Sequence, residues 1–229
     1  MPDKPSLRGV RGFQQSGAEE TVAFLLGLRA RGVRDTALLR AMETVSRDLF
    51  APRRFSDLAR ADVSLPLSCG QTMTAPGIIA AMLVALKLAP HHAVLEIGTG
   101  SGYLAAVMGK LSSHVVSVER YKTLAISASE RLAKLGLDNV CIIPGDGLAR
   151  ETIAGGRYDR IILNGTLPGA FPASLLAALA DDGILIGARS SDGVSRLVRV
   201  THDSEDQYAE EDLGAIRLPP LSPGVAKVL

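Results

Sequence analysis

The chain contains only two cysteines, Cys69 and Cys141. They stand too far apart for a metal-ligand spacing and are too few for a disulfide framework, so free thiols in a reducing cytosol are expected. No stretch approaches the roughly 20 apolar residues of a membrane span. Residues 1–15 hold no apolar segment of the signal-peptide kind. A surplus of either charge is missing too: 25 Lys and Arg face 24 Asp and Glu, for a net charge of +1. That balance gives no ground for non-specific nucleic-acid or anionic-membrane binding. His91, His92, His114 and His202 have no Cys or carboxylate partner at ligand spacing, so no metal is expected. No Gly-x-Ser-x-Gly elbow and no Cys–His pair points to hydrolysis. Internal repeats and low-complexity tracts are absent as well. These absences describe a cytoplasmic, soluble protein whose oligomeric state the sequence does not set.

What is present suffices for one α/β domain: 229 residues, 47% of them hydrophobic. Residues 1–17 lack periodicity and read as a loose tail. Residues 18–73 read as a helical N-terminal subdomain with a linker. Ala18–Arg31 is a helix stopped by Gly32. Asp35 caps a second helix with Leu38, Leu39, Met42 and Val45 on its apolar face. Residues 61–73 read as irregular around Pro66 and Gly70. Thr74, ahead of Ala75-Pro76, reads as the cap of a third helix. Residues 74–229 then alternate strands and helices. Ala93–Ile97, Val115–Val118, Val140–Ile143, Arg160–Leu163 and Gly183–Gly187 are continuous apolar runs, the mark of strands buried on both faces. Helical patterns at Tyr103–Leu111, Lys122–Leu135 and Pro172–Ala180 cover a mostly parallel sheet. Val194–Thr201 and Tyr208–Leu218 follow with no helix between them, so they pair antiparallel.

Ligands in such sheets sit at the carboxyl ends of the strands. Gly98-Thr99-Gly100-Ser101-Gly102 follows the first strand, where glycines allow a sharp turn and close approach. Glu119 closes the second strand and can accept both hydroxyls of a ribose. Asp146, in Gly145-Asp146-Gly147 after the third, can accept an adenine amino group. Glu96 stands just before the first glycine. The spacing is Glu-x-Gly-x-Gly-x-Gly rather than the Gly-x-Gly-x-x-Gly of dinucleotide sites. A carboxylate there suits an ammonium and would repel a pyrophosphate. That favours S-adenosylmethionine (SAM) over NAD.

Five segments resemble the protein-L-isoaspartate (D-aspartate) O-methyltransferases: Leu28 to Asp35, Gly70-Gln71-Thr72-Met73-Thr74-Ala75-Pro76, Val94 to Tyr103, Ser117-Val118-Glu119-Arg120 and Gly145-Asp146-Gly147. The Gly-Gln-Thr piece is particular to that family; the glycine loop is shared by many methyltransferases. The resemblance implies a class I SAM-dependent methyltransferase fold, Rossmann-like, with a C-terminal antiparallel hairpin. It implies methylation of the α-carboxylate of isoaspartyl residues in damaged proteins or peptides. It implies cofactor contacts from Gln71, Thr72, Met73, Thr74, Glu96, Gly98, Thr99, Gly100, Ser101, Gly102, Glu119, Arg120, Asp146 and Gly147. Thr74 matches a position where the family has an active-site Ser. A carboxylate of pKa about 4 is already ionised at pH 7, so the reaction needs alignment rather than a general base. Departures fall on the substrate side: Thr74 itself, Leu67-Ser68 for Ile-Gly, Gly165-Thr166-Leu167-Pro168, and Arg217-Leu218-Pro219-Pro220-Leu221. Two other readings stand beside repair: a relative methylating another carboxylate or small molecule, and a SAM-binding protein without turnover.

Overall fold

The computed structural model describes residues 8–153, 156–202 and 207–226, with side chains from Gly17 onward. Helix α1 (Arg8–Ala30) begins inside the stretch read from sequence as a loose tail. Pro5 is the last proline before it, and nothing stronger than glycine interrupts the helix afterwards. Residues 1–7 of that stretch lie outside the described residues. Gly32, at φ +91°, turns the chain after α1. Asp35 then caps α2 (Thr36–Thr44) as read, accepting the N–H groups of Ala37 and Leu38 at 2.8 and 3.1 Å. Leu38, Leu39 and Met42 go into the core.

Residues 61–73 are less irregular than their composition suggests. β1 (Leu65–Pro66) and β2 (Thr72–Met73) form a two-stranded antiparallel ladder. Cys69 and Gly70 both adopt positive φ, 59° and 65°, and fold the connection back on itself. Two-residue strands are too short to leave a periodic signal. Helix α3 (Pro76–Leu86) has Pro76 in its first turn as read, but its cap is Ala75, not Thr74. The Thr74 hydroxyl is turned away and donates to Asn164 Oδ1 at 2.8 Å.

The remaining elements are β3 (Ala93–Ile97), α4 (Tyr103–Gly109), β4 (His114–Glu119), α5 (Lys122–Lys134), β5 (Val140–Pro144), α6 (Arg150–Ile153), β6 (Tyr158–Pro168), α7 (Ala173–Ala177), β7 (Leu179–Ser191), β8 (Val194–His202) and β9 (Tyr208–Ala215). One seven-stranded sheet runs in the order β5-β4-β3-β6-β7-β8-β9. The pairs from β5 through to β7 are parallel; β8 pairs antiparallel with both β7 and β9. Both faces are covered, which is why the strands read as unbroken apolar runs. On one face Val94, Val115, Ile162 and Ile186 pack with α2, α3 and α4. On the other, Leu95, Val118, Ile161 and Leu185 pack with α6 and α7. Each such side chain is worth about 1.5–3 kcal/mol of burial. The chain winds outward from β3 to β5, then returns to β6 on the other side of β3. Crevices form at such a reversal, outside the carboxyl ends of the strands.

Candidate active site

A cleft lies at that reversal. Its walls are Gly98 and Gly100 after β3, Glu119 to Tyr121 at the end of β4, Asp146 to Leu148 after β5, and Asn164 in β6. Gln71 and Thr72 reach it from the small ladder, and Pro219 to Ser222 close it from the chain end. Gly98 and Gly100 take φ of +93° and +56°, conformations in which any other residue would be strained. They bare the loop backbone to the cleft.

Glu119 is buried, and it organises the loop. Its Oε2 accepts the Gly100 N–H at 2.8 Å and its Oε1 accepts the Tyr121 N–H at 3.0 Å. A carboxylate offers about four lone-pair positions, so capacity remains toward the cleft it lines. Asp146 accepts the Leu148 N–H at 2.9 Å through Oδ1. Its Oδ2 accepts the Gly224 N–H at 2.6 Å. Arg120 Nε donates to the Gly224 carbonyl at 3.0 Å. The two residues read from sequence as cofactor contacts thus also tie the chain end across the cleft. Pro219 joins the same closure with its carbonyl, which accepts the Thr166 N–H at 2.8 Å, while the Leu221 N–H donates to the Thr166 carbonyl at 2.8 Å.

The cleft wall therefore carries Gln71, Thr72, Gly98, Gly100, Glu119, Arg120, Asp146 and Gly147 from the sequence reading. It does not carry Met73, Thr74, Glu96, Thr99, Ser101 or Gly102. Met73 is a core residue. Thr74 is buried behind Asn164. Ser101 Oγ accepts the Tyr103 N–H at 3.3 Å at the start of α4. Gly102 is a packing glycine: a Cβ there would stand 3.0 Å from Ala128 Cβ of α5. Cys69, in the turn that carries Gly70 and Gln71 to the cleft, is a half-buried free thiol. Asn164 and Tyr121 escaped the sequence reading because neither belongs to a motif. Their signal was position alone: Asn164 directly follows the apolar run Arg160–Leu163, and Tyr121 follows β4.

Glu96 departs furthest from expectation. Side chains alternate along a strand, and Glu96 shares its face with Val94 rather than with the cleft. Its neighbour in register is Ser117 of β4. Ser117 Oγ donates to Glu96 Oε2 at 2.5 Å and lies 2.5 Å from Thr99 Oγ1. The carboxyl is fully buried. Burial pushes its pKa up to about 8; the Ser117 hydrogen bond opposes this and the Glu119 charge adds to it. The unfolded chain ionises near 4.5 and the fold near 8. Folding then takes up a proton between those values, so stability falls as pH rises through that window. We expect Glu96→Gln, which cannot titrate, to gain on the wild type from pH 5 to 8, by up to about 1.4 kcal/mol per pH unit. Thermal melts of both proteins across that range decide it; parallel curves would rule the neutral acid out.

The fold is that of the class I methyltransferases. It superposes on a Plasmodium falciparum structure described as a protein-L-isoaspartate O-methyltransferase in complex with S-adenosyl-L-homocysteine, with a TM-score of 0.76. That match has 24% identity and covers 87% of this chain and 97% of the other. The sequence narrows the class. A profile of the protein-L-isoaspartate(D-aspartate) O-methyltransferase family matches residues 19–225. A protein-L-isoaspartate O-methyltransferase of Bradyrhizobium sp. (strain ORS 278) is 46% identical over 212 residues, 92% of this chain and 97% of the relative. One from Rhodopseudomonas palustris (strain BisB18) is 42% identical over 210 residues, 92% and 96% of the two chains. The chain belongs to this family.

Proposed function

We propose that the chain is a SAM-dependent enzyme that methylates the α-carboxylate of isoaspartyl residues in damaged proteins and peptides, a repair reaction. The observation that carries the reading is the buried Glu119. It holds the glycine loop by two N–H groups and still faces the cleft with acceptor capacity, as a cofactor bearing a ribose diol requires. Full-length relatives above 40% identity support the substrate class.

SAM, when bound, supplies a methyl group activated by the sulfonium charge. The chain supplies the rest. Gly98 and Gly100 leave room for close approach, Glu119 accepts from hydroxyls, and Asp146 stands on the wall after β5 as a further acceptor. Pro219 to Ser222 line the cleft on the side of the chain end, where their apolar surface would help keep water from the reacting atoms. The acceptor carboxylate needs no proton removed, so the task is alignment. No helix among the described residues is long and apolar enough to cross a membrane. Free thiols, one of them exposed, fit a reducing cytosol.

The test is incubation with methyl-labelled SAM and an isoaspartyl peptide beside its normal aspartyl counterpart. Base-labile methyl ester should form on the isoaspartyl peptide alone. SAM binding without any ester would end the repair reading.

A further inference from the structure

The Gly98 carbonyl can only accept a hydrogen bond, and it lies 3.2 Å from the Asn164 amide. The amide atom facing it is therefore Nδ2. That turns Oδ1 toward Thr74 Oγ1, 2.8 Å away. An amide oxygen also only accepts, so the single Thr74 proton is committed to Asn164. What Thr74 has left is lone pairs, and a carboxylate ligand brings only lone pairs. The hydroxyl at the position where the family has its active-site Ser thus has no proton to offer the methyl acceptor.

Asn164 is placed otherwise. It stands on the cleft wall at the reversal between β3 and β6. Its Nδ2 carries two hydrogens, and Gly98 takes one. No described residue takes the second. Several neighbouring backbone donors are spent or missing. The Thr166 and Leu221 N–H groups are used in the bridge between β6 and the chain end. Pro219 and Pro220 have none. The other wall amide, Gln71, points Nε2 at the Cys69 carbonyl at 3.3 Å and the Tyr121 hydroxyl at 3.4 Å.

We propose that Asn164 grips the methyl-accepting carboxylate through its second Nδ2 hydrogen, and that Thr74 is the positioning residue that sets this amide. The inference rests on the carboxylate methylation proposed above. It also explains how Thr replaces Ser here: the hydroxyl only has to donate to Asn164, which either residue does.

The experiment measures kcat and KM for an isoaspartyl peptide, and S-adenosyl-L-homocysteine affinity by calorimetry, on the wild type and four variants. A hydrogen bond to a charged group is worth about 1.5–3 kcal/mol, which is about 10–100-fold. Asn164→Ala should raise peptide KM about tenfold or more. Asn164→Asp, which also sets a negative charge against the acceptor, should raise it about 100-fold. Thr74→Val should raise KM about tenfold and Thr74→Ser should restore it. S-adenosyl-L-homocysteine affinity should fall by clearly less than peptide KM rises, the Asn164 variants losing only the hydrogen bond to Gly98 on that side. Melting curves accompany each variant, and Asn164→Ala, which sets no charge against the Gly98 carbonyl, decides if the Asp variant fails to fold. Unchanged peptide KM in Asn164→Ala overturns the inference, as does a parallel loss of homocysteine-ligand affinity. A wild type that forms no ester overturns the function and the inference together, whereas ester formation with indifferent Asn164 variants overturns the inference alone.

Discussion

Glu119→Ala should weaken S-adenosyl-L-homocysteine binding by about 100-fold or more, and Glu119→Gln should hardly do better. Both carboxylate oxygens accept a backbone N–H, one from Gly100 and one from Tyr121. The amide of Gln presents one oxygen and one NH2 group, so one of those N–H donors would face another donor. Alanine leaves both unpaired. A buried unpaired donor costs about 1–3 kcal/mol, and each 1.4 kcal/mol is tenfold in affinity. Part of the cost appears as a looser loop in the free protein, the rest as lost binding. Glu119→Asp, which keeps two accepting oxygens on a shorter stem, should fall between. Calorimetric titration with thermal melts checks this. Glu119→Gln binding within threefold of the wild type would show that the carboxylate neither orders the loop nor faces the ligand.

The sheet was legible because its strands bury both faces. Ala93–Ile97 is apolar on either side of the pleat except at Glu96, and the structure gives the strand those same bounds. The Asp35 cap was legible for a related reason: its partners, Ala37 and Leu38, are two and three residues away. Failures came where the deciding partner is distant in sequence. Thr74 has the form of a helix cap, but Asn164, 90 residues on, takes its hydroxyl. For the same reason the sequence did not show that Asp146 and Arg120, read as ligand contacts, also hold Gly224. Glu96 is a different case: its motif position suggested the ligand, while the structure sets it on the face of Val94 with Ser117 donating to it.

Arg47→Met should cost about 3–5 kcal/mol of stability, at about 1–3 kcal/mol for each carbonyl left without its donor, the largest loss expected from any single change considered for this chain. No motif in the sequence singles out Arg47. In the fold Arg47 is only 2% exposed. Its guanidinium donates to three carbonyls on separate segments: Ala59 at 2.7 Å, Val63 at 3.0 Å and Thr74 at 3.1 Å. Burial pulls its pKa down from the ordinary value, with Tyr103 and the Asp62 and Asp48 carboxylates opposing. An arginine stays charged even so, and its fixed fork can reach three acceptors at once. Methionine fills much of the volume but leaves three carbonyls, those of Ala59 and Thr74 buried and that of Val63 half-buried, without this donor. Lysine keeps the charge on a single nitrogen and cannot span the same set, so Arg47→Lys should recover only part of the loss. Because one acceptor is the Thr74 carbonyl, the damage extends to the cleft wall through Thr74 and Asn164. Arg47→Lys should therefore also raise peptide KM more than homocysteine-ligand Kd. Urea unfolding of the three proteins gives the stabilities. A cost below about 1 kcal/mol for Arg47→Met would mean the three carbonyls find other donors, and that Arg47 is not what joins the N-terminal helices to the cleft.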